Sequence, residues 1–179
     1  FPLILDTFSS FYDILKKMTD AIAHRGPDGE GHYTDSFVGF GHRRLAIIDL
    51  SPAGHQPMIS LDKQVILSYN GEVYNFQELR LELESLGYQF HSRTDSEVVL
   101  HAWVEWGEEC VHKFNGMFAF AVWDKRNQTL YLVRDRYGIK PLYYAQWGET
   151  LLFGSEQKAI LQHPIAQRVI DKKALLEYF

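Results

Sequence analysis

The stretch Tyr69-Asn70-Gly71-Glu72-Val73-Tyr74-Asn75 gathers residue types able to hold a negatively charged oxygen. Asn70 carries side-chain N–H donors, and Gly71 leaves its backbone N–H accessible. Presented together at a strand end, such a pair can stabilise a developing oxyanion. The plain alternative is a turn. Asn-Gly after an apolar run (Val65, Ile66, Leu67) commonly reverses the chain, because both residues tolerate positive φ.

Three further polar clusters recur: His24-Arg25-Gly26-Pro27-Asp28-Gly29, Gly41-His42-Arg43-Arg44-Leu45-Ala46-Ile47-Ile48-Asp49, and Thr94-Asp95-Ser96-Glu97. Each also has a purely structural reading. Arg25 and Asp28 can close a Gly-Pro turn as a local ion pair. Arg43 and Arg44, adjacent on a strand, face opposite sides, and an inward Arg needs a carboxylate because an unpaired buried charge is costly. That carboxylate comes from Asp49, from Asp95 or from a ligand. Asp95 opens a helix, where an acid is favoured by the backbone dipole whatever its function. Taken together the clusters say more. An Arg fork for a carboxylate, an acid for an ammonium and an Asn/Gly donor pair would recognise a free α-amino acid and stabilise attack on its side-chain carbonyl.

These groups must be positioned by helices and strands. Ser10-x-x-Asp13 reads as a capping box for a helix with Phe11, Ile14, Leu15, Met18 and Ile22 on one face, ending near His24–Pro27. A second helix runs from Asn75 to Gly87, burying Phe76, Leu79, Leu83 and Leu86. A third runs from Thr94-x-x-Glu97 to Gly107, burying Val99, Ala102, Trp103 and Trp106. Shorter helical turns are predicted over 156–161 and 171–179. Strands are predicted over 31–34, 38–47, 65–69, 89–92, 118–124, 129–134, 142–146 and 151–155, the last four as an antiparallel meander. Between Met117 and Trp123 both alternating faces are apolar, so this sheet must be covered on both sides. Two stacked sheets flanked by helices, an α+β arrangement, fit better than a βαβ fold.

Composition narrows the function classes. The 179 residues are 46% hydrophobic, enough for one well-cored domain, and no linker or repeat divides them. A net charge of -5 with scattered Lys and Arg argues against nucleic-acid or membrane partners. The longest apolar run, Met117–Trp123, is too short to cross a bilayer. The lone Cys110 excludes an intrachain disulfide and favours a reducing, cytoplasmic setting. His101, His112 and His163 lack metal-ligand spacing, so no metal site is expected. Phe1 is not Met, and the last residues lie within a helical pattern, so both ends read as truncated.

HRGPDGEG, GHRRLAIIDLSPAGHQPM, YNGEVYNFQELR, TDSEVVLHAW, FNGMFAFAVWD and RDRYGIKPLYY, in this order, resemble the glutamine amidotransferase domain of the asparagine synthase family. The resemblance runs from about Met18 to the end of the chain. It implies an N-terminal-nucleophile hydrolase fold, a four-layer αββα sandwich of two antiparallel sheets. It further implies that Arg44 binds the glutamine α-carboxylate and that Asp95 and Glu72 bind the α-ammonium. Asn70 and Gly71 would form the oxyanion hole, and the backbone of Leu45, Ala46, Ile47 and Ile48 would line the pocket. Glutamine would be hydrolysed through a cysteinyl thioester. The ammonia would pass to a C-terminal synthetase domain, absent from this chain, that uses ATP and Mg to convert aspartate to asparagine; the amidotransferase domain itself would need no cofactor. Dimers are common in the family. The sequence departs from the family in one respect: the Cys-Gly-Ile start is missing, and family spacing puts that cysteine a handful of residues before Phe1. Without it the domain would be inactive. Two alternatives follow: a non-catalytic amidotransferase-like partner of a β-lactam-synthetase-like or other adenylating domain, or a free-standing amino-acid-binding module.

Overall fold

The structure, a computed structural model, describes residues 7–169 and 172–178. In chain order it comprises α1 (Thr7–Asp20), β1 (Gly29–Thr34), β2 (Gly39–Arg44), β3 (Met58–Ile59), β4 (Val65–Val73), α2 (Phe76–Ser85), α3 (Asp95–Trp106), β5 (Gly116–Asp124), β6 (Thr129–Arg134), β7 (Tyr143–Trp147), β8 (Thr150–Gly154), α4 (Gln157–Ile160) and α5 (Lys172–Tyr178). Strands β3-β4-β5-β6 form one antiparallel sheet, while β1-β2 and β7-β8 form two antiparallel pairs in a second layer. Helices α2 and α3 cover the outer face of the first sheet; α1 packs on β2 and against α4, which in turn packs on β8. The result is the expected αββα sandwich.

Strand alternation explains the layering. In β4, Val65, Leu67, Tyr69 and Val73 turn toward α2 and α3. There they meet Phe118, Phe120 and Val122 of β5 and Leu83, Val99 and Trp103 of the helices, all buried. The intervening residues face the second layer, where Ile66, Ala121 and Trp123 pack on Phe40 of β2 and Phe153 of β8. Both faces of β5 are therefore covered, as its apolar parity requires.

Helices α2 and α3 form between their predicted ends, although Leu86, expected to be buried, is 53% exposed, and the Ser10-x-x-Asp13 capping box does not open α1. Thr94 caps α3 by accepting the Glu97 N–H at 3.3 Å. Gly87 and Gly107, at φ 99° and 57°, take the left-handed conformations that end α2 and α3. α1 begins at Thr7, so Ser10 lies inside it, and Ile22 lies beyond its end. The segment Phe1–Leu5 and the ends of the predicted 171–179 helix lie outside the described residues.

Four expectations are corrected. Residues 89–92 form no strand, because the His91 and Ser92 N–H groups bond the Glu97 carboxylate (2.9 and 2.7 Å) and Arg80 takes the Ser92 carbonyl. β2 stops at Arg44 rather than continuing to Ile47, since the Ala46 N–H is diverted to the Asp28 carboxylate at 2.9 Å. Arg25 and Asp28 do not pair; Arg25 binds Glu156 instead. The last four strands are not one meander but two hairpins, β5-β6 and β7-β8, in different layers.

Candidate active site

Adjacent arginines split across β2 as alternation requires. Arg43 faces α1, where it donates to the Thr19 carbonyl and pairs with Asp20 and Glu30. Phe40, His42 and Arg44 form the opposite row, facing the four-stranded sheet. Neither Asp49 nor Asp95 forms an ion pair with Arg44. Its guanidinium donates to two backbone carbonyls, Ser51 at 2.8 Å and Asp49, and among the described residues no carboxylate lies within ion-pair distance. The Asp49 carboxylate accepts the N–H groups of Ser51 (2.8 Å) and Arg93 (2.9 Å). Bonds from Ser51 and Arg93 hold it down at about 2. Asp49 thus ties the loop after β2 to the start of α3, and Arg44 is oriented by carbonyls without a direct ion pair, the Asp49 carboxylate acting on it only at longer range.

Asn70 and Gly71 form no turn. They continue β4, opposite Ala119 and Phe118 of β5. Gly71 is required by close approach: a Cβ there would lie 2.5 Å from the Met117 carbonyl oxygen and 2.7 Å from Phe118 Cα. The Asn70 side chain shares a face with Ile66 and Ser68 and points between the sheets. Its Nδ2 is buried and has no hydrogen-bond partner among the described residues, a state that is costly unless something else accepts from it.

The free edge of β4 is capped by side chains instead of a strand. β3 covers only Ile66 and Leu67. Beyond it, the Gln56 amide mimics a strand, accepting the Tyr69 N–H at 2.6 Å and donating to the Tyr69 carbonyl at 3.1 Å. Four residues on, the Val73 N–H donates to Asp95 Oδ2 at 3.1 Å, and the Tyr69 hydroxyl reaches the same oxygen at 2.7 Å. Antiparallel alternation aims the Gly71 N–H at this edge too, between the two capped positions. Asp95 is only 5% exposed, and burial pushes its carboxyl up against the opposing effect of these bonds.

Arg44, Gln56, Tyr69, Asn70, Gly71 and Asp95 all line one cavity of about 790 Å³. Arg44, Asn70, Gly71, Glu72 and Asp95 surround its polar mouth together with Leu45–Ile48, of which Leu45, Ile47 and Ile48 are 56%, 76% and 40% exposed. Its interior is apolar and runs beneath α1, between the edges of β2 and β8 that carry no strand partner among the described residues. Every residue expected at the site therefore meets at one cavity. His42 joins them from β2, its Nδ1 3.4 Å from the Ser68 hydroxyl, and burial pushes its imidazole down to about 4. The sequence reading passed over His42, Ser68, Tyr69 and Gln56. The first two were legible as two-residue steps back from Arg44 and Asn70. Tyr69 and Gln56 lie within YNGEVYNFQELR and GHRRLAIIDLSPAGHQPM, but no local signal marks either side chain as part of a strand edge.

The fold and the cavity together define a class: an αββα sandwich with a cavity opening at one end between its two sheets. Its fold is shared by the glutamine PRPP amidotransferase of Bacillus subtilis solved with ADP and GMP, at a TM-score of 0.69 and 21% identity over 83% of this chain and 40% of that one. Residues 4–179 match the family of the glutamine amidotransferase domain, and the chain belongs to that family. It is 46% identical to asparagine synthetase [glutamine-hydrolyzing] 3 of B. subtilis, over 92% of this chain and 27% of that protein. Identity to asparagine synthetase [glutamine-hydrolyzing] 1 of the same organism is 45%, over 93% and 26%. A putative asparagine synthetase of Methanocaldococcus jannaschii is 42% identical over 89% and 33%. The chain thus spans about a quarter to a third of the length of these relatives.

Proposed function

We propose that this chain is the glutaminase domain of a glutamine-hydrolysing asparagine synthase. The observation that carries the reading is the Arg44 guanidinium, held by two carbonyls and in no ion pair among the described residues, facing the same cavity as the Asp95 carboxylate and the unpartnered Asn70 amide. Arg44 grips the α-carboxylate of glutamine, while Asp95 and Glu72 hold the α-ammonium. The Leu45–Ile48 backbone walls the pocket. Asn70 Nδ2 and the Gly71 N–H receive the carbonyl oxygen as it becomes an oxyanion.

The nucleophile is the thiol of an N-terminal cysteine carried on residues that precede Phe1. Cys110 cannot serve. It is fully buried in the core on the α2/α3 side of the four-stranded sheet, where burial pushes its thiol up to about 12. The slot between β2 and β8 supports an upstream strand. β8 leads into Glu156, which binds His24 and Arg25 beside the Arg44 end of β2, so both strands run toward the mouth. A strand starting at the mouth would pair antiparallel with each. The cysteine thiol gives its proton to its own α-amine and attacks the side-chain carbonyl. The amine then protonates the departing ammonia, and water hydrolyses the thioester to glutamate. The ammonia is consumed by a synthetase region that uses ATP and Mg to activate aspartate and release asparagine, AMP and pyrophosphate.

Sequencing the N-terminus of the native protein and assaying its glutaminase activity test this directly. An N-terminal cysteine and glutamate release are expected. A native chain starting at Phe1, or one that binds no glutamine by calorimetry, would overturn the assignment.

A further inference from the structure

One motif remains unused by this chemistry: Arg134-Asp135-Arg136-Tyr137-Gly138-Ile139-Lys140, the crossing from β6 to the β7-β8 layer. It begins in the same row as the oxyanion pair, since Asn70 faces Ala119 and Ala119 faces Arg134. Asp135 is 6% exposed. Its N–H donates to the Phe118 carbonyl at 2.7 Å, and its Oδ2 accepts the Phe118 N–H at 3.3 Å. One residue therefore occupies both backbone groups of Phe118 and extends the β5-β6 ladder one step beyond β6. The same carboxylate accepts the N–H groups of Tyr137 (3.1 Å), Ile139 (3.0 Å) and Lys140 (3.0 Å), while Arg134 holds the carbonyls of Gly138 and Lys140 at 2.6 and 2.7 Å. Donors go to the acid and acceptors to the base, so the loop has one shape.

Phe118 is the strand partner of Gly71, and its Cα and Cβ are among the atoms that leave no room for a side chain there. With both Phe118 backbone groups turned toward Asp135, this pair shares no ladder bonds, and the Gly71 N–H is aimed at the open edge of β4. We infer that Asp135 is a positioning residue for the oxyanion hole: by fixing Phe118 it fixes the direction of the Gly71 N–H. The inference rests on the glutaminase reading above. Arg44 and Asp95 stand on other elements, β2 and α3, so substrate binding does not depend on Asp135.

The test is Asp135→Asn in the complete native protein, with thermal melting to verify folding. A single amide oxygen cannot serve all four N–H donors. The expected result is a fall in glutaminase kcat of about 10-fold or more, with KM within twofold, and a shifted Gly71 amide resonance. Tyr137→Ala, at a 91% exposed side chain, leaves both constants unchanged. Should Asp135→Asn not fold, Gly138→Ala strains the same loop, because φ is 62° there and a Cβ would lie 3.0 Å from Arg134 Cζ. It should lower kcat at least twofold without moving KM. Unchanged kcat, or kcat and KM altered together in the folded variant, would overturn the positioning role. Arg44→Lys, measured alongside, separates the two ideas: if it leaves KM unchanged, the glutamine-pocket reading fails, whatever Asp135 does.

Discussion

Arg44 and Asn70 do different work, and kinetics should separate them. A lysine at 44 keeps the charge but loses the planar fork that the carbonyls of Asp49 and Ser51 orient. Losing charge-assisted bonds worth about 1.5–3 kcal/mol predicts that Arg44→Lys raises KM for glutamine roughly 10- to 100-fold with little change in kcat. Asn70→Ala removes a donor needed chiefly in the transition state, so kcat should fall about 10²- to 10³-fold at nearly constant KM. Steady-state kinetics of the native protein check both, and a KM effect for Asn70 would contradict its assigned role. The inward turn of Arg44 was legible from strand alternation alone. The conformation of Asn70-Gly71 was not. Their types suit a turn, but Met117 and Phe118, more than forty positions downstream, hold them in a strand.

At the scale of elements, α2 and α3 were readable because their caps and apolar spacing are local signals. The edge of β4 was not, because a side chain does the work of a strand there. Gln56→Ala strips partners from the buried Tyr69 N–H and carbonyl, so stability should drop by about 1–3 kcal/mol. For a domain of this size that is a Tm lowered by roughly 2–10 °C, measurable by calorimetry. A Tm unchanged within error would mean that another group caps this edge. The mistaken strand at 89–92 has the same origin: polar side chains, chiefly Glu97, satisfy a backbone that looked ready for a ladder.

For the whole molecule, the two-faced apolar pattern of β5 was enough to require layers above and below. The partition of the last four strands between layers was not legible, since it depends on how Arg134 and Asp135 shape one crossing loop. Acid stability is also a property of the whole. Burial works against ionisation of Glu97, but the His101 imidazole 3.8 Å away and hydrogen bonds from His91 and Ser92 outweigh it and hold the carboxyl at about 2, against an ordinary 4.5. Asp49 lies at about 2 against 3.8. Both bind protons more weakly when folded, so their stabilisation is complete above those ordinary values and is lost as pH falls toward 2. Asp95, raised by burial, acts in the opposite sense. Resistance to urea should therefore decline as pH falls from about 4.5 to 2, and Glu97→Gln should flatten that decline. An equally steep decline in the variant would remove Glu97 from the account.

β4 alternates without a break between residues that hold the protein together and residues that face its cavity: Leu67 and Tyr69 on one side, Ser68 and Asn70 on the other. The strand therefore behaves as a two-letter reading frame. A single-residue insertion or deletion between Val65 and Tyr69 would exchange the two sides, driving Asn70 beneath α3 and turning Tyr69 out into the pocket. Substitution can tune this site one side chain at a time, but a change of length in β4 would erase it at a stroke. Among homologues, gaps should fall in the loops on either side of this strand and never within it.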